Sequence, residues 1–307
     1  MEKPLVSVIV LCYNHERYIR DCLDGILMQE TEFPFEVMVG DDCSTDGTLS
    51  VIRDYHKKFP DVIRVETTDV NLWSQGVSMS YSRLVPMSRG RYLAFCEGDD
   101  YWTDPHKLQR QADFMEENPE YSMCYHDYSI LDKYGRTHLH PYCLRKDCDS
   151  RLSEMLHLNS CQVATVFFRR EIMRSRGFRA YFEDPEHCYG DMNYNTACFD
   201  SGRVRHLSGN WSVYRKHDDS VTAMDKSRGK SVVVQMHLNG IRVLIRHYGR
   251  RYRYLLRNFR SARLLELSSA LVRRKLYLSG ILLKLVAFML SPCFVSRLYS
   301  RRYCGRG

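Results

Sequence analysis

The sequence has no Cys-x-x-Cys pair, although it contains 12 cysteines. Several of them stand inside apolar runs, where a thiol packs as a small hydrophobic side chain: Cys12, Cys22, Cys96 and Cys124. Cysteines scattered in this way do not form the disulfide framework of a small secreted domain. The pattern therefore predicts reduced thiols and a cytosolic protein.

No cleavable signal peptide is recognisable at the amino terminus, where Met1-Glu2-Lys3-Pro4 leads straight into an apolar strand. We therefore expect the folded body to stay in the cytosol. The chain of 307 residues is 44% hydrophobic and 27% charged, which is typical of a globular protein and excludes a disordered one. This length is enough for one large domain or two modest ones.

Acidic residues are almost missing from the last part of the chain. Residues 226–307 hold 19 Lys or Arg and one acid, Glu266, whereas residues 1–225 hold 26 basic and 36 acidic residues, so the net charges are +18 and −10. This asymmetry predicts two segments with different roles, a folded domain over 1–225 and a basic helical tail over 226–307. Such a tail binds either nucleic acid or an anionic membrane surface.

Strand-like and helix-like segments alternate through the first half of the chain. Apolar runs at 5–12, 35–40, 62–66 and 93–96 have the character of buried strands, and the segments between them favour helices, including one over about 76–87. Further strands are expected at 121–128 and 161–168, and an edge strand at 211–217. Strands alternating with helices are typical of parallel crossover units, so the sequence predicts an α/β fold.

Acidic residues gather where two of these strands end. The second strand is followed by Asp41, Asp42 and Asp46, and the fourth by Glu97, Asp99 and Asp100. Ligands of open α/β sheets bind beyond the carboxyl ends of the strands, so both turns are expected at the binding edge. Carboxylates this close together repel unless a cation lies between them, and hard oxygen ligands suit Mg²⁺ or Mn²⁺, which in turn bind a diphosphate. The alternative is a solvated acidic turn.

Three motifs, in this order, give the sequence a resemblance to the family 2 glycosyltransferases of the GT-A fold, of the type found in bacterial polysaccharide synthesis. The resemblance covers about residues 4–222. It rests on Val6-Ser7-Val8-Ile9-Val10 with Tyr13-Asn14, on Val39-Gly40-Asp41-Asp42 with Ser44, Asp46, Gly47 and Thr48, and on Glu97-Gly98-Asp99-Asp100. It implies a Rossmann-like, mostly parallel sheet that is flanked by helices and binds a nucleotide-sugar.

The resemblance also implies donor-binding roles for single residues. Asp41 matches the acid that reads the nucleotide base, Tyr13 lies in the base-stacking loop, and Arg83 stands where the family often has a basic donor contact. Glu97-Gly98-Asp99 matches the Asp-x-Asp metal motif, so Asp99 is expected to bind the metal, while the longer Glu97 alters the reach toward the ribose. Tyr13 is alternatively a cap on the core, and Arg83 part of a solvated helix face.

Three further residues follow these motifs. Trp102 is interpreted either as a platform for the donor sugar or as ordinary core. Asp191 matches the family's general base at the start of a helix, although Gly190 replaces the acid that precedes it. A helix amino terminus stabilises the carboxylate anion and should lower its proton affinity. His217 is a candidate metal ligand, with a solvated histidine as the alternative.

The tail contains an apolar stretch from Leu276 to Val295 that is interrupted by Lys284. A lysine in the centre of a bilayer is costly. Arg273, Gly280, Lys284 and Ser291 share one side of a helical wheel, which favours a helix that lies in the membrane interface. The alternative is a helical hairpin that packs on the folded body.

The function expected from these observations is the inverting transfer of a sugar from a nucleotide-sugar donor, with a UDP-sugar expected, to a hydroxyl of a glycan or lipid-linked glycan. The cofactor expected is Mn²⁺ or Mg²⁺, and the enzyme should lie on the cytoplasmic face of the membrane through its tail. Two alternatives stay open. One is a nucleic-acid-binding protein, although acidic strand ends repel a phosphate backbone. The other is a nucleotide-sugar binding module that has lost catalysis.

Overall fold

The computed structural model describes residues 2–141, 143–153, 155, 161–184, 186–187, 190–218, 220, 230–273 and 277–291, with backbone only at 230–236 and 270–273. The strands in these residues form one sheet in the order β3-β2-β1-β4-β9-β6-β10-β5, with β7 beside β6 and β8 beside β10. Their bounds are β1 Val6–Cys12, β2 Phe35–Asp41, β3 Ile63–Thr67, β4 Tyr92–Glu97, β5 Tyr101–Trp102, β6 Tyr121–Leu131, β7 Thr137–Leu139, β8 Cys148–Asp149, β9 Phe167–Arg169 and β10 Arg203–Arg215.

The predicted parallel arrangement is confirmed for the first four long strands. β1 pairs in parallel with β2 and β4, and β2 pairs in parallel with β3. The short β9 then runs antiparallel between β4 and β6, and β6 pairs in parallel with β10. The strand expected at 211–217 is confirmed as far as Arg215, where it is the end of β10. Its expected place at the edge of the sheet is wrong, because it pairs with β6 on one side and with β5 on the other.

Helices cover the sheet because their apolar residues recur at helical spacing. Ile19–Leu27, Thr48–Lys58 and Lys107–Glu117 bury one side each, and their buried residues join β1, β2 and β4 in one core. The helix expected over 76–87 is instead a π-helix, Ser80–Leu84, and a single turn, Val85–Met87. Gly76 has a φ of 75° and ends the preceding 3₁₀ turn Trp73–Gln75, so a regular helix cannot continue through it.

The chain separates into two compact units. The first comprises residues 1–174 and 198–216 and contains the sheet, and the second comprises 175–197 and 217–307. The predicted boundary at 225 lies outside the described residues. The observed division differs from that prediction because residues 175–197 group with the tail helices, through contacts such as the hydrogen bond from the Tyr248 hydroxyl to Asn193 (3.0 Å).

The second unit is helical. Its helices are Arg176–Glu183, Gly190–Ser201, which ends in the first unit, Lys230–Arg273 and Tyr277–Leu290. Gly280 and Ala287 are buried, and their carbonyls accept hydrogen bonds from Ser268 and Ser261 of the long helix. The side predicted as polar, with Gly280 and Ser291, therefore packs on the long helix. None of the helices within the described residues combines the length and the apolar character needed to cross a bilayer.

Gly25 allows a helix to lie directly on the backbone of β5. A Cβ atom at this position would stand 2.7 Å from the Trp102 carbonyl oxygen and 2.9 Å from its nitrogen. Gly25→Ala should lower the free energy of unfolding by about 1–3 kcal/mol, because backbone atoms cannot move aside. Urea denaturation of the full chain measures this change.

Gly249→Ala is the matched control, because a Cβ there meets only Ile245 Cγ2 at 3.5 Å. It should stabilise its helix by up to ~1 kcal/mol. Shifts of both denaturation midpoints in the same direction would contradict the close approach at Gly25.

Candidate functional site

The two acidic turns lie at the same edge of the sheet, as the sequence predicts. Cys12, at the end of β1, is opposite Asp41 at the end of β2, and Leu11 is opposite Glu97 at the end of β4. Parallel strands bring their carboxyl ends to one edge, so the two acids flank the end of β1. Two turns that are more than 50 positions apart in the chain therefore form one acidic site.

The loop after β1 is bonded to the loop after β2. The Asn14 side chain accepts a hydrogen bond from Thr45 N (2.8 Å), and its backbone N–H donates to Ser44 Oγ (2.9 Å). Glu16 accepts from Gly47 N (3.0 Å) in the same way. Asn14 has a left-handed φ of 57° and does not cap the first helix, which begins at Ile19. Its function is to hold the two loops together.

The adjacent acids Asp41 and Asp42 differ in what they bind. Both oxygens of Asp42 accept hydrogen bonds from backbone N–H groups, Leu72 at 2.7 Å and Trp73 at 3.0 Å. Asp41 is 1% exposed, and its Oδ2 accepts from Ser44 N (3.1 Å), whereas its Oδ1 is buried without a partner among the described residues. An unpaired buried acceptor is costly, and a donor N–H from a ligand would satisfy it.

Glu97, Asp99 and Asp100 form the carboxylate cluster. One oxygen of each lies within 4.8 Å of the others. Burial, then the charges of Asp99 and Glu97, raise the pKa of Asp100 well above its usual value, although the Arg215 backbone N–H opposes this. The cluster therefore favours a bound cation, which would relieve the repulsion.

Asp100 holds the cluster in place. Its Oδ1 accepts a hydrogen bond from Arg215 N (2.8 Å) and its Oδ2 accepts from Gln162 Nε2 (2.6 Å), so both oxygens are used by the protein. Asp99 and Glu97 are the better candidates for metal ligands, and hard carboxylate oxygens fit Mg²⁺ or Mn²⁺. Sequence reasoning assigned no role to Gln162, and its isolated amide gives no signal in the sequence.

Arg215 is a site residue to which the sequence analysis assigned no role. Its guanidinium lies 4.9 Å from the ring centres of both Tyr18 and Tyr101. Nη1 donates to the Asp99 carbonyl (3.0 Å), and Nη2 donates to Asp21 (2.7 Å). It therefore fixes the backbone of Asp99. The available signal was a basic residue at the end of an apolar strand.

The glycine between Glu97 and Asp99 is required by crowding. A Cβ on Gly98 would stand 2.6 Å from Cys12 Sγ and 2.8 Å from His15 Nδ1. His15 Nε2 in turn lies 3.9 Å from the Asp99 carboxylate. The close approach of β1 and the β4 turn brings this imidazole to the carboxylate cluster, a contact that the sequence does not indicate.

The structure does not support Trp102 as a sugar platform. The side chain is 2% exposed, and its Nε1–H donates to the Ala164 carbonyl (2.9 Å). One face of the indole is covered by the ammonium group of Lys107, 3.9 Å from the ring centre. Trp102 is therefore core, which corrects its assignment to donor binding. Burial lowers the pKa of Lys107 to about 7.

Two other predicted donor contacts lie on the surface. Tyr13 is 41% exposed directly after β1, as a base-stacking residue has to be. Arg83 is exposed in the π-helix, with its guanidinium 3.9 Å from Glu66. The donor-binding roles of Tyr13 and Arg83 stay predictions.

The predicted base and the predicted third metal ligand belong to the second unit. Asp191 is the second residue of Gly190–Ser201, and Met192 N donates to its Oδ1 (2.8 Å). Burial raises the pKa of Asp191, and the backbone N–H groups only partly oppose this, so its proton affinity is not lowered as the helix terminus suggested. His217 follows β10 and is not part of the metal-ligating group found among the described residues.

The family described as glycosyl transferase family 2 matches residues 7–182. An uncharacterized protein of Mycobacterium tuberculosis is 33% identical over 215 residues, which are 69% of this chain and 59% of that protein. The chain thus spans about three fifths of the length of this relative. A putative teichuronic acid biosynthesis glycosyltransferase of Bacillus subtilis, TuaG, is 28% identical over 234 residues, 70% of this chain and 88% of the relative.

Solved structures share the fold at low sequence identity. Staphylococcus aureus TarS 1–349 in complex with UDP superposes with a TM-score of 0.60 and 20% identity, covering 86% of this chain and 72% of that one. The mannosyltransferase PcManGT of Pyrobaculum calidifontis, in complex with GDP-Man and Mn²⁺, gives a TM-score of 0.55 and 16% identity, covering 100% and 89%.

Proposed function

The chain belongs to the family 2 glycosyl transferases and has their GT-A fold, and from this premise we propose that it transfers a sugar from a nucleotide-sugar to a hydroxyl of a glycan or lipid-linked glycan. The observation that carries the proposal is the meeting of Asp41 with Glu97 and Asp99 at one sheet edge. A buried acceptor suited to a base and carboxylates suited to a metal are what a nucleotide diphosphate requires.

The proposed donor is a UDP-sugar, and the proposed pathway is cell-surface polysaccharide synthesis. The complex of TarS with UDP supports the nucleotide. The name of TuaG, which refers to teichuronic acid, supports a polymer as the product. In this proposal the base donates an N–H to Asp41 Oδ1 and stacks on the exposed Tyr13 ring, with Arg83 as a further donor contact.

A divalent ion, Mn²⁺ or Mg²⁺, would be held by Asp99, with Glu97 beside it and His217 as a further candidate. When bound, it would neutralise charge on the leaving diphosphate. The protein's own contribution is to keep the site rigid, because Arg215 binds the Asp99 carbonyl and the side chain of Asp100, and so fixes the backbone that follows the Asp99 side chain. Positioned charges of this kind need no rearrangement as the bond to the diphosphate breaks.

Asp99→Asn should abolish turnover and the metal-dependent part of donor binding, because an amide is a much weaker ligand than a carboxylate. Isothermal titration of UDP with and without Mn²⁺ measures the second effect directly. Glu97→Asp is the matched control, since it restores the residue usual in the family, and it should be tolerated. Full activity of Asp99→Asn would contradict the assignment of Asp99 as a metal ligand.

Asp191 is the proposed base. It takes the proton from the acceptor hydroxyl while the hydroxyl oxygen attacks the anomeric carbon, the bond from that carbon to the diphosphate breaks, and the configuration is inverted. Other acids of the second unit are less suited to this role. Burial raises the pKa of Asp184, but hydrogen bonds from Glu186 N, Arg246 and His247 outweigh it and lower the pKa overall. Glu186 itself pairs with Arg246 (2.8 Å). A raised pKa makes Asp191 the stronger base.

Asp191→Asn should cut the rate about 100-fold or more, because proton removal contributes in the transition state. Donor binding should stay nearly unchanged. Wild-type turnover should fall as the pH drops toward the raised pKa, since only the ionised carboxylate accepts a proton, and the variant should lack this limb. Steady-state kinetics across pH measures both effects.

Asp200→Asn, at the exposed end of the same helix, is the control and should keep the wild-type profile. An unchanged rate in Asp191→Asn would move the base to another carboxylate.

A membrane location is proposed from the outer face of the helix Tyr277–Leu290. Its apolar side chains face solvent to an unusual extent, with Leu278 86%, Leu282 60%, Leu285 55% and Met289 71% exposed. These residues recur at helical spacing on the side away from Gly280 and Ala287. An exposed apolar stripe beside many Arg residues fits a helix that lies in an anionic interface on the cytoplasmic side.

Leu282→Gln with Leu285→Gln should release the protein from anionic vesicles, because apolar area that would be buried in the membrane is lost. Val70→Gln with Val77→Gln, also exposed, removes apolar surface from the first unit and should not do so. Sedimentation with phosphatidylglycerol vesicles measures the bound fraction. Equal retention of both double variants would refute attachment through this helix.

A further inference from the structure

A charged cavity lies at the end of the parallel strands opposite to the two acidic turns. It has a volume of about 290 Å³ and is lined by Lys3, Arg91, Arg169, Arg170, Glu171 and Arg174. Arg91 stands directly before β4, whereas the carboxylate cluster follows β4. Six strand residues separate the two edges by roughly 20 Å at ~3.3 Å per residue. The cavity is therefore distinct from the proposed donor site.

Arg169 forms the buried wall of this cavity. It is 9% exposed, and its guanidinium donates to the carbonyls of Tyr121 (2.8 Å) and Met115 (2.8 Å) and to the Tyr92 hydroxyl (3.1 Å). All of these acceptors are neutral. A buried guanidinium without a carboxylate partner keeps its positive field, which is strong where water is excluded.

The other basic side chains add to this field. Arg91 pairs with Glu116 (2.8 Å) and is thereby partly neutralised. Lys3, Arg170 and Arg174 form no ion pair with an acid within 4 Å in the described part of the chain. Glu171 offsets one charge, which leaves the lining strongly positive. Clustered cations of this kind repel one another unless an anion lies between them.

The walls are positioned by hydrogen bonds to backbone carbonyls. Arg170 N donates to the Arg91 carbonyl (2.9 Å), and Arg170 Nη1 donates to the Ser88 carbonyl (2.8 Å). Arg91 N donates to the Leu5 carbonyl (2.8 Å) at the start of β1. The cations are thus held at the edge of a rigid sheet, so little ordering is needed when an anion binds.

We propose that this cavity binds a phosphate group, either free or in a lipid headgroup. Arginine forks match phosphate oxygens, and the volume accommodates a phosphate or a diphosphate. The site would serve regulation or attachment and take no part in sugar transfer. If this cavity does not bind phosphate, the proposed function is unaffected, because the donor site shares no residue with the cavity.

Inorganic pyrophosphate is the probe for the test. It is titrated into the full chain at constant ionic strength with EDTA, which removes divalent ions from the other site. Lys3→Gln with Arg174→Gln should weaken binding at least about tenfold, because two charge-assisted contacts are lost. Arg53→Gln with Lys57→Gln removes the same charge from an exposed helix face and should change little.

Vesicles with and without phosphatidic acid identify the source of the phosphate. If phosphatidic acid increases the vesicle binding of the control variant but not that of Lys3→Gln with Arg174→Gln, the source is a lipid headgroup. If only its pyrophosphate binding is lost, the source is soluble. No pyrophosphate binding by the wild type, or equal affinities in the two double variants, would overturn the proposal.

Discussion

Asp100 is a carboxylate withdrawn from water at the end of β4, and the site depends on how it is satisfied. One oxygen binds the backbone of Arg215 on β10, and the other binds Gln162 beside the turn that holds Trp102. An unsatisfied buried carboxylate would cost several kcal/mol, on the order of a small domain's stability. These two bonds therefore tie the turn after β4 to β10 and to a loop residue far along the chain.

The two pairs of adjacent acids follow the same division of roles. In each pair the second acid, Asp42 or Asp100, uses both oxygens to hold the protein. The first acid, Asp41 or Asp99, is positioned by that anchor beside the open end of β1. In the proposed donor site, the acids that would bind the ligand need not organise their turns alone, since a neighbouring residue shares that task, which is a physical reason for acids in tandem.

The sequence predicted those features that depend on local pattern. Buried strands, amphipathic helices and the shared edge of the two acidic turns follow from periodicity and from the rules of parallel sheets. The roles of Gln162, Arg215 and His15 could not be predicted, because each depends on a contact between distant parts of the chain. Trp102 was ambiguous for a related reason, since only packing decides whether an aromatic ring is covered.

Several of the basic residues in the tail are paired with acids. Arg246 pairs with Asp184 and Glu186, Arg242 lies 3.8 Å from Glu186, and Arg263 pairs with Glu266 within the long helix. Part of the positive charge therefore neutralises acids of the same unit, which explains why 175–197 group with the tail. A nucleic-acid-binding surface would keep these cations for phosphates and would not expose an apolar stripe such as Leu278, Leu282 and Leu285 beside them. The proposed attachment to an anionic membrane would use both the cations and the apolar stripe.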